Sequence, residues 1–244
     1  MTLELAGFGI VTGFISGFFG VGGGMILVPM LLMVGYVMKE AVAISIMQMV
    51  FSSIYGSFLN AQKAKDVVKD GMVIGTGGFI GGLQSGYIVS NVSNEFLQYL
   101  FIAILIFSIV RIFYSPAEPE GERKSHNKVI LLIIGFFIGI VAMSIGVGGS
   151  ILLTPILVGF MKYDLKSATA LGLFFVIFSS IAGFTSISLH GNMLYTEGAI
   201  VGIASLIGVY FGIKAKHIVK STSYKQYILI LNIIILIAML YKTI

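Results

Sequence analysis

Apolar residues run along this chain in blocks too long and too continuous for the buried stripe of a soluble helix. They occupy about 2–19, 25–37, 41–61, 71–90 and 95–114, and then about 128–145, 151–161, 167–189, 197–213 and 225–241. Most run to about 17–25 residues, the length that crosses a hydrocarbon core about 30 Å thick, whereas barrel strands need only about 10. The second block of each set is shorter, since about 12 residues make about 18 Å of helix, roughly half that thickness. The pattern predicts an all-α integral membrane protein with two sets of five segments, each set containing a half-helix.

What separates the first two blocks is glycine. Gly17 to Pro29 reads GFFGVGGGMILVP, and each glycine inside a helix costs about 1 kcal/mol relative to alanine, so Gly20, Gly22, Gly23 and Gly24 mark a break. The stretch returns as GVGGSILLTP from Gly146 to Pro155, an offset of 126 that pairs Gly20 with Gly146, Gly22 with Gly148, Gly23 with Gly149 and Pro29 with Pro155. The chain therefore reads as two repeats, 1–114 and 128–244, joined by the polar linker 115–127, SPAEPEGERKSHN. Each repeat opens with a glycine-broken helical hairpin and a half-helix.

Composition fixes the solvent. The chain is 57% hydrophobic and 10% charged, against roughly 25% charged in soluble domains, so no soluble domain is expected. Its net charge of +5 bears on orientation rather than on nucleic acid. If each opening pair of segments returns to the face it left, the second repeat is inverted, and one face collects every lysine and arginine except Lys39 and Lys242. If the pair is one broken span, the repeats are parallel and the basic residues divide almost evenly. Short cytoplasmic loops gather basic residues, which favours the inverted repeat, with both termini outside the cytoplasm and the linker inside. The first residues, MTLELAGFGIVTGF, lack a basic leader, so the first segment is expected to be retained. Zero cysteines exclude disulfides and thiolate metal sites.

An uncharged glycine tip is odd in water and acceptable inside protein at membrane depth. There, the free N–H groups and positive dipole end of the following half-helix converge on one point, which suits an anion. Ser150 replaces Gly24 in the second turn and offers a hydroxyl as helix N-cap or ligand contact. Other glycines four apart, such as Gly13 with Gly17, Gly78 with Gly82, and Gly208 with Gly212, read as close helix packing.

The third segment adds a polar stripe, Ser45, Gln48, Ser52 and Tyr55, on one helix face. Its second-repeat counterpart carries Thr169, Ser179, Ser180 and Thr185, with Phe175 where Gln48 falls at an offset of 127. The expected substrate contacts are Gly20, Gly22, Gly23, Gly24, Gln48, Ser52, Gly146, Gly148, Gly149, Ser150 and Ser179. All ten acids fall in loops or at segment ends, and no basic residue lies mid-span. The ligand is therefore small and singly or doubly negative, bound by amides and hydroxyls. No P-loop, HExxH or Ser-His-Asp set is present, so neither catalysis, a cofactor, a metal nor nucleic acid is expected.

The doubled glycine motif with its proline, together with the small-residue third segment, resembles the TauE/SafE sulfite-exporter-like family over essentially the whole chain. The resemblance implies a transporter of the bacterial inner (cytoplasmic) membrane for sulfite, sulfoacetate or related organosulfonates. A secondary exporter is then expected, the turns clasping its substrate between two rocking halves. The coupling ion, proton or sodium, and pairing into a homodimer are left open. Two other readings remain: a channel or cation carrier using unwound carbonyls, and a noncatalytic membrane subunit of a larger complex.

Overall fold

The computed structural model describes residues 2–60, 68–114, 127–163, 165–216, 218 and 221–243. Among these residues the chain forms eleven α-helices and no strand. They are α1 (Thr2–Phe19), α2 (Gly24–Met33), α3 (Met38–Asn60), α4 (Val68–Gly82), α5 (Ser85–Asn91), α6 (Asn94–Tyr114), α7 (Lys128–Ser144), α8 (Ser150–Gly159), α9 (Leu165–Leu189), α10 (Tyr195–Lys216) and α11 (Ser221–Thr243). Among the described residues, seven stretches are long and apolar enough to cross a membrane, α4 and α5 together counting as one. The basic loop 61–67 and linker positions 115–126 lie outside the described residues. Asn127, read as linker, instead caps α7, its side chain accepting from Val129 N–H at 2.9 Å.

Local chemistry sets the ends. α2 stops at Met33, four residues short of the apolar block, because Gly35 takes φ +104 and its N–H and that of Tyr36 turn back to Leu32 and Leu31 carbonyls. α3 then starts with Glu40 accepting from Val37 N–H at 3.0 Å, half of a capping box. The fourth block, expected to be one helix, breaks at Leu83 and Gln84. Ser186 of α9 inserts there, its hydroxyl donating to Leu83 O at 2.6 Å and accepting from Gly86 N–H at 2.9 Å.

Packing crosses between the repeats. On α1, Gly9, Gly13 and Gly17 lie in order against Val201, Ser205 and Val209 of α10, so these helices run in the same direction. On α7, Gly135 and Gly139 lie against Ile74 and Gly78 of α4. Each contact in one pair has its counterpart in the other, at offsets of 126 along α1 and 127 along α4. α3 likewise runs alongside α10, with Met47 on Gly198 and Phe51 on Gly202, and α9 alongside α4, with Phe178 on Gly75 and Ser179 on Gly82. Small residues let these backbones approach within van der Waals contact, where dispersion and packing hold membrane helices together.

The α1–α10 seam makes a sharp stability prediction. A Cβ at Gly13 would sit on Ser205 O with Ser205 Cα only 2.7 Å away, whereas one at Gly7 meets nothing within 4 Å. Gly13→Val should cut the yield of monodisperse protein on gel filtration severalfold, and Gly7→Ala should keep it, with about 1 kcal/mol of helix propensity gained.

Both opening pairs are hairpins. Glu4, Leu5 and Phe8 at the start of α1 share a cavity with Val34 and Tyr36 beyond the end of α2. In the second repeat, Tyr163 beyond α8 donates its hydroxyl to Asp70 at 2.8 Å, and Asp70 lies in the first turn of α4, the helix running alongside α7. The two hairpins thus enter from opposite ends of the bundle. Tyr36, Glu40 and Glu197 share one end, where burial first and then those two carboxylates push the Tyr36 phenol up. Lys39 joins that end, its N–H donating to Asn94 and its ammonium to Ser90 O.

Candidate functional site

The hairpin tips meet deep in the bundle. Gly20, Gly22, Gly146 and Gly148 all take φ between +63 and +69, the left-handed conformation only glycine adopts freely, and at the same positions in both turns. Gly23 and Gly149 occupy the N-cap positions of α2 and α8. All the residues of both turns are buried.

Each turn nests between the two central helices, and the contacts exchange between the repeats. Gly20 lies on Thr169 of α9, its Cβ position 2.6 Å from the Thr169 carbonyl oxygen, and Gly146 lies on Val42 of α3, 2.9 Å from its Cα. Gly22 and Gly148 both touch Met49 and Val176. Sequence reading has the turns clasp a substrate between them; here they close on each other. A Cβ on Gly24 would fall inside Gly146 O, because two backbones lacking Cβ atoms pack directly. The glycines thus permit turn-to-turn contact in this conformation.

The chemistry of the two turns differs. Beside the first, Gln48 is fully buried and its amide lies over Gly23, Nε2 and Oε1 falling 2.5 and 2.6 Å from where a Cβ would stand. Neither amide atom has a hydrogen-bond partner among the described residues. The first α2 amides with backbone acceptors are those of Ile26 and Leu27, both bonded to Gly23 O at 3.2 and 3.1 Å. Those of Gly24 and Met25 take no protein acceptor among the described residues. An uncommitted amide thus stands at the positive end of a half-helix, in surroundings that exclude water.

The second turn is closed over differently. The Phe175 ring occupies the place of the Gln48 amide, two of its carbons 2.8 and 2.9 Å from the Gly149 Cβ position. Ser150 does not cap α8: the N-cap is Gly149, and the Ser150 hydroxyl and N–H both donate to Gly148 O, the hydroxyl at 2.9 Å. Ser179 donates back to Phe175 O at 3.1 Å, and Ser52 to Met49 O at 3.5 Å, so both hydroxyls serve their own helices. Of the expected third-segment contacts, the structure leaves Gln48 with unmet hydrogen-bonding capacity. Ser45 of the same stripe is also buried, its hydroxyl without a partner among the described residues.

The sequence model "Sulfite exporter TauE/SafE" matches residues 5–239. The chain belongs to the TauE/SafE sulfite exporter family. Its relatives include the probable membrane transporter protein YunE of Bacillus subtilis, 24% identical over 94% of this chain and 92% of the relative. Another is the probable membrane transporter protein MJ0441 of Methanocaldococcus jannaschii, 43% identical over 80% of this chain and 74% of the relative. A Haemophilus influenzae probable membrane transporter protein is 23% identical over 96% and 92%. This TauE/SafE protein is a membrane transporter and not an enzyme.

One buried lysine beside the first turn escapes a segment-by-segment reading. Lys216, placed by sequence in a loop, closes the last turn of α10 and is only 8% exposed. Its ammonium donates to Thr169 Oγ1 at 3.3 Å, and Thr169 is the residue against which Gly20 packs. The signal was periodicity: Lys216 follows Gly198, Gly202, Ser205, Gly208 and Gly212 on the buried face of α10.

Proposed function

We propose that this transporter moves small sulfur-containing oxyanions, sulfite or an organosulfonate such as sulfoacetate, and that it exports them by alternating access. The carrying observation is the buried, unpartnered Gln48 amide against Gly23 at the start of α2. Its Nε2 and the free Gly24 and Met25 amides are donors in want of an acceptor, and an oxyanion supplies several. In this conformation the turns are closed, and substrate enters as they part. The first turn holds it; the Phe175-filled second turn is the surface it separates from.

The repeats are read as inverted, related by an axis in the membrane plane. Support comes from the exchanged contacts of α1 with α10 and α7 with α4, and from hairpins entering at opposite ends. The end bearing Arg111, Lys216 and Lys225 is read as cytoplasmic in the inner membrane, both termini lying outside. There Lys225 donates to Phe113 O, and the Arg111 guanidinium sits 4.0 Å from the centre of the Phe160 ring. An interior-negative potential then drives anion export by about 2.3 kcal/mol per charge per 100 mV.

Lys216 supplies the positive charge on the cytoplasmic approach to Gly20. At an effective dielectric of 20, a unit charge about 8 Å from a monoanion is worth about 2 kcal/mol, or roughly thirtyfold in affinity. Lys216→Gln should raise the KM for sulfite by about that factor, and Lys216→Arg should restore most of it; equal KM values in initial-rate assays would remove Lys216 from the path.

The deciding test is a proteoliposome panel of sulfite, sulfate, thiosulfate, sulfoacetate and taurine, with and without proton and sodium gradients. Saturable flux of sulfite or a sulfonate is the expected result. No flux of any of them, or unsaturable conductance of every anion, overturns the proposal.

A further inference from the structure

The two hairpins end in the same arrangement, at opposite ends of the bundle. At an offset of 127, Gly35 corresponds to Lys162, Tyr36 to Tyr163 and Asp70 to Glu197. Gly35 and Lys162 both take the left-handed backbone, at φ +104 and +57. The tyrosine that follows turns its N–H back onto its own half-helix, Tyr36 to Leu31 O and Tyr163 to Leu157 O. Lysine holds that conformation less readily than glycine, yet the second hairpin keeps the reversal that places Tyr163. Each tyrosine comes up to an acid in the first turn of the other repeat's fourth segment. Tyr163 meets Asp70 of α4. Tyr36 stands close enough to Glu197 of α10 for that carboxylate to push its phenol up, after burial, the larger cause.

The two ends differ in state. The Tyr163 hydroxyl donates to Asp70 at 2.8 Å, and the chain around it is packed, Tyr163 being 1% and Met161 6% exposed. At the other end, the Tyr36 hydroxyl makes no hydrogen bond among the described residues. There a cavity of about 220 Å³ lies between the start of α1 and the residues after α2. Val34, the counterpart of Met161, lines it and is 52% exposed.

We propose that Tyr163 with Asp70 and Tyr36 with Glu197 are the latches of two mouths at opposite ends of the bundle, and that each transport cycle closes one as it releases the other. A hydrogen bond from hydroxyl to carboxylate holds the far end of a half-helix against the other repeat. Its release lets that end swing out and opens a path toward the glycine turn. Each half-helix has 10 residues, about 15 Å of rigid rod, with its latch at one end and its turn at the other. The turns link the two rods, because Gly24 packs directly against Gly146 O, so tilting one half-helix displaces the other. In this conformation the Tyr163 mouth is latched and the Tyr36 mouth is open. The inference rests on the alternating-access reading above and names its gates.

The chain contains no cysteine, so Val34→Cys and Met161→Cys, one per protein, report the two mouths through their rates of reaction with a charged maleimide in the purified full chain. Val34→Cys should react the faster. Adding Tyr163→Phe should speed Met161→Cys about tenfold, the population shift expected from losing one hydrogen bond to a carboxylate. The same change should slow Val34→Cys, as Tyr36 closes on Glu197. Tyr36→Phe added to Tyr163→Phe should restore the fast reaction of Val34→Cys. Asp70→Asn, which keeps an acceptor for Tyr163, should fall between the parent and Tyr163→Phe, and it serves where Tyr163→Phe folds poorly. A faster Met161→Cys with Val34→Cys unchanged is local loosening and overturns the inference, as does an unchanged Met161→Cys. Oxyanion flux without reciprocal rates overturns the latches and spares the transport proposal, whereas reciprocal rates without oxyanion flux do the reverse.

Discussion

Gln48→Leu should give a protein at least as heat-stable as the parent that carries almost no sulfite. The two effects have opposite signs because they arise from the same unpaired amide. A buried amide without partners costs about 1–3 kcal/mol, and leucine fills nearly the same volume without that cost. For a chain of this size about 1 kcal/mol is worth roughly 2–4 °C, so the melting temperature should rise by a few degrees. Hydrogen bonds to a charged ligand contribute about 1.5–3 kcal/mol, so flux should fall roughly tenfold to a hundredfold. Paired measurement of unfolding and sulfite efflux checks both. A destabilised variant would mean that Gln48 supports the fold, and full flux would mean that the substrate passes elsewhere.

The hairpins and half-helices were legible in the sequence because glycine and proline act locally. Gly20 and Gly22 enforce the turn through their own backbone angles, and the identical spacing at Gly146 and Gly148 repeats it. The basic-residue asymmetry pointed to paired segments that return to the face they left, and the contacts of Tyr36 and Tyr163 agree with such hairpins. The break between α4 and α5 was not legible, since it depends on the hydroxyl of Ser186, about 100 positions away, intruding on Leu83 and Gly86. Lys216 was hidden for a related reason: whether a helix-end lysine faces solvent or folds inward depends on the neighbouring Thr169 of α9.

That the backbone at the glycine turns is closely approached was legible, but not what approaches it. Runs of glycine identify backbone that something approaches closely, and cannot say whether that is a ligand or another backbone. Here Gly24 faces Gly146 O, and Gly23 faces the Gln48 side chain. The difference between Gln48 and Phe175 was visible at the 127-residue offset. Its consequence, an unpartnered amide beside one turn and a ring beside the other, shows only in the folded chain.

That contrast within the first turn yields the second large expected effect. Gly24→Ala should lose most of its folded protein, whereas Gly23→Ala should fold and fail to transport. Both residues accept alanine on conformational grounds, Gly23 lying at φ −51 and Gly24 in the first turn of α2, so sterics alone decides. The added methyl on Gly24 meets Gly146 O, a backbone atom of the facing turn that cannot step aside. Such overpacking costs about 1–3 kcal/mol or more, and relieving it requires the hairpins to separate. The methyl on Gly23 meets the far end of the Gln48 side chain at 2.5 Å, which can rotate away. The fold then loses only the N-cap preference for glycine, about 1 kcal/mol, while the amide leaves the position from which it reaches substrate. Gel-filtration yield beside sulfite efflux separates the cases: Gly23→Ala with normal efflux would detach Gln48 from binding, and Gly24→Ala with normal yield would mean that the turns are apart in the resting protein.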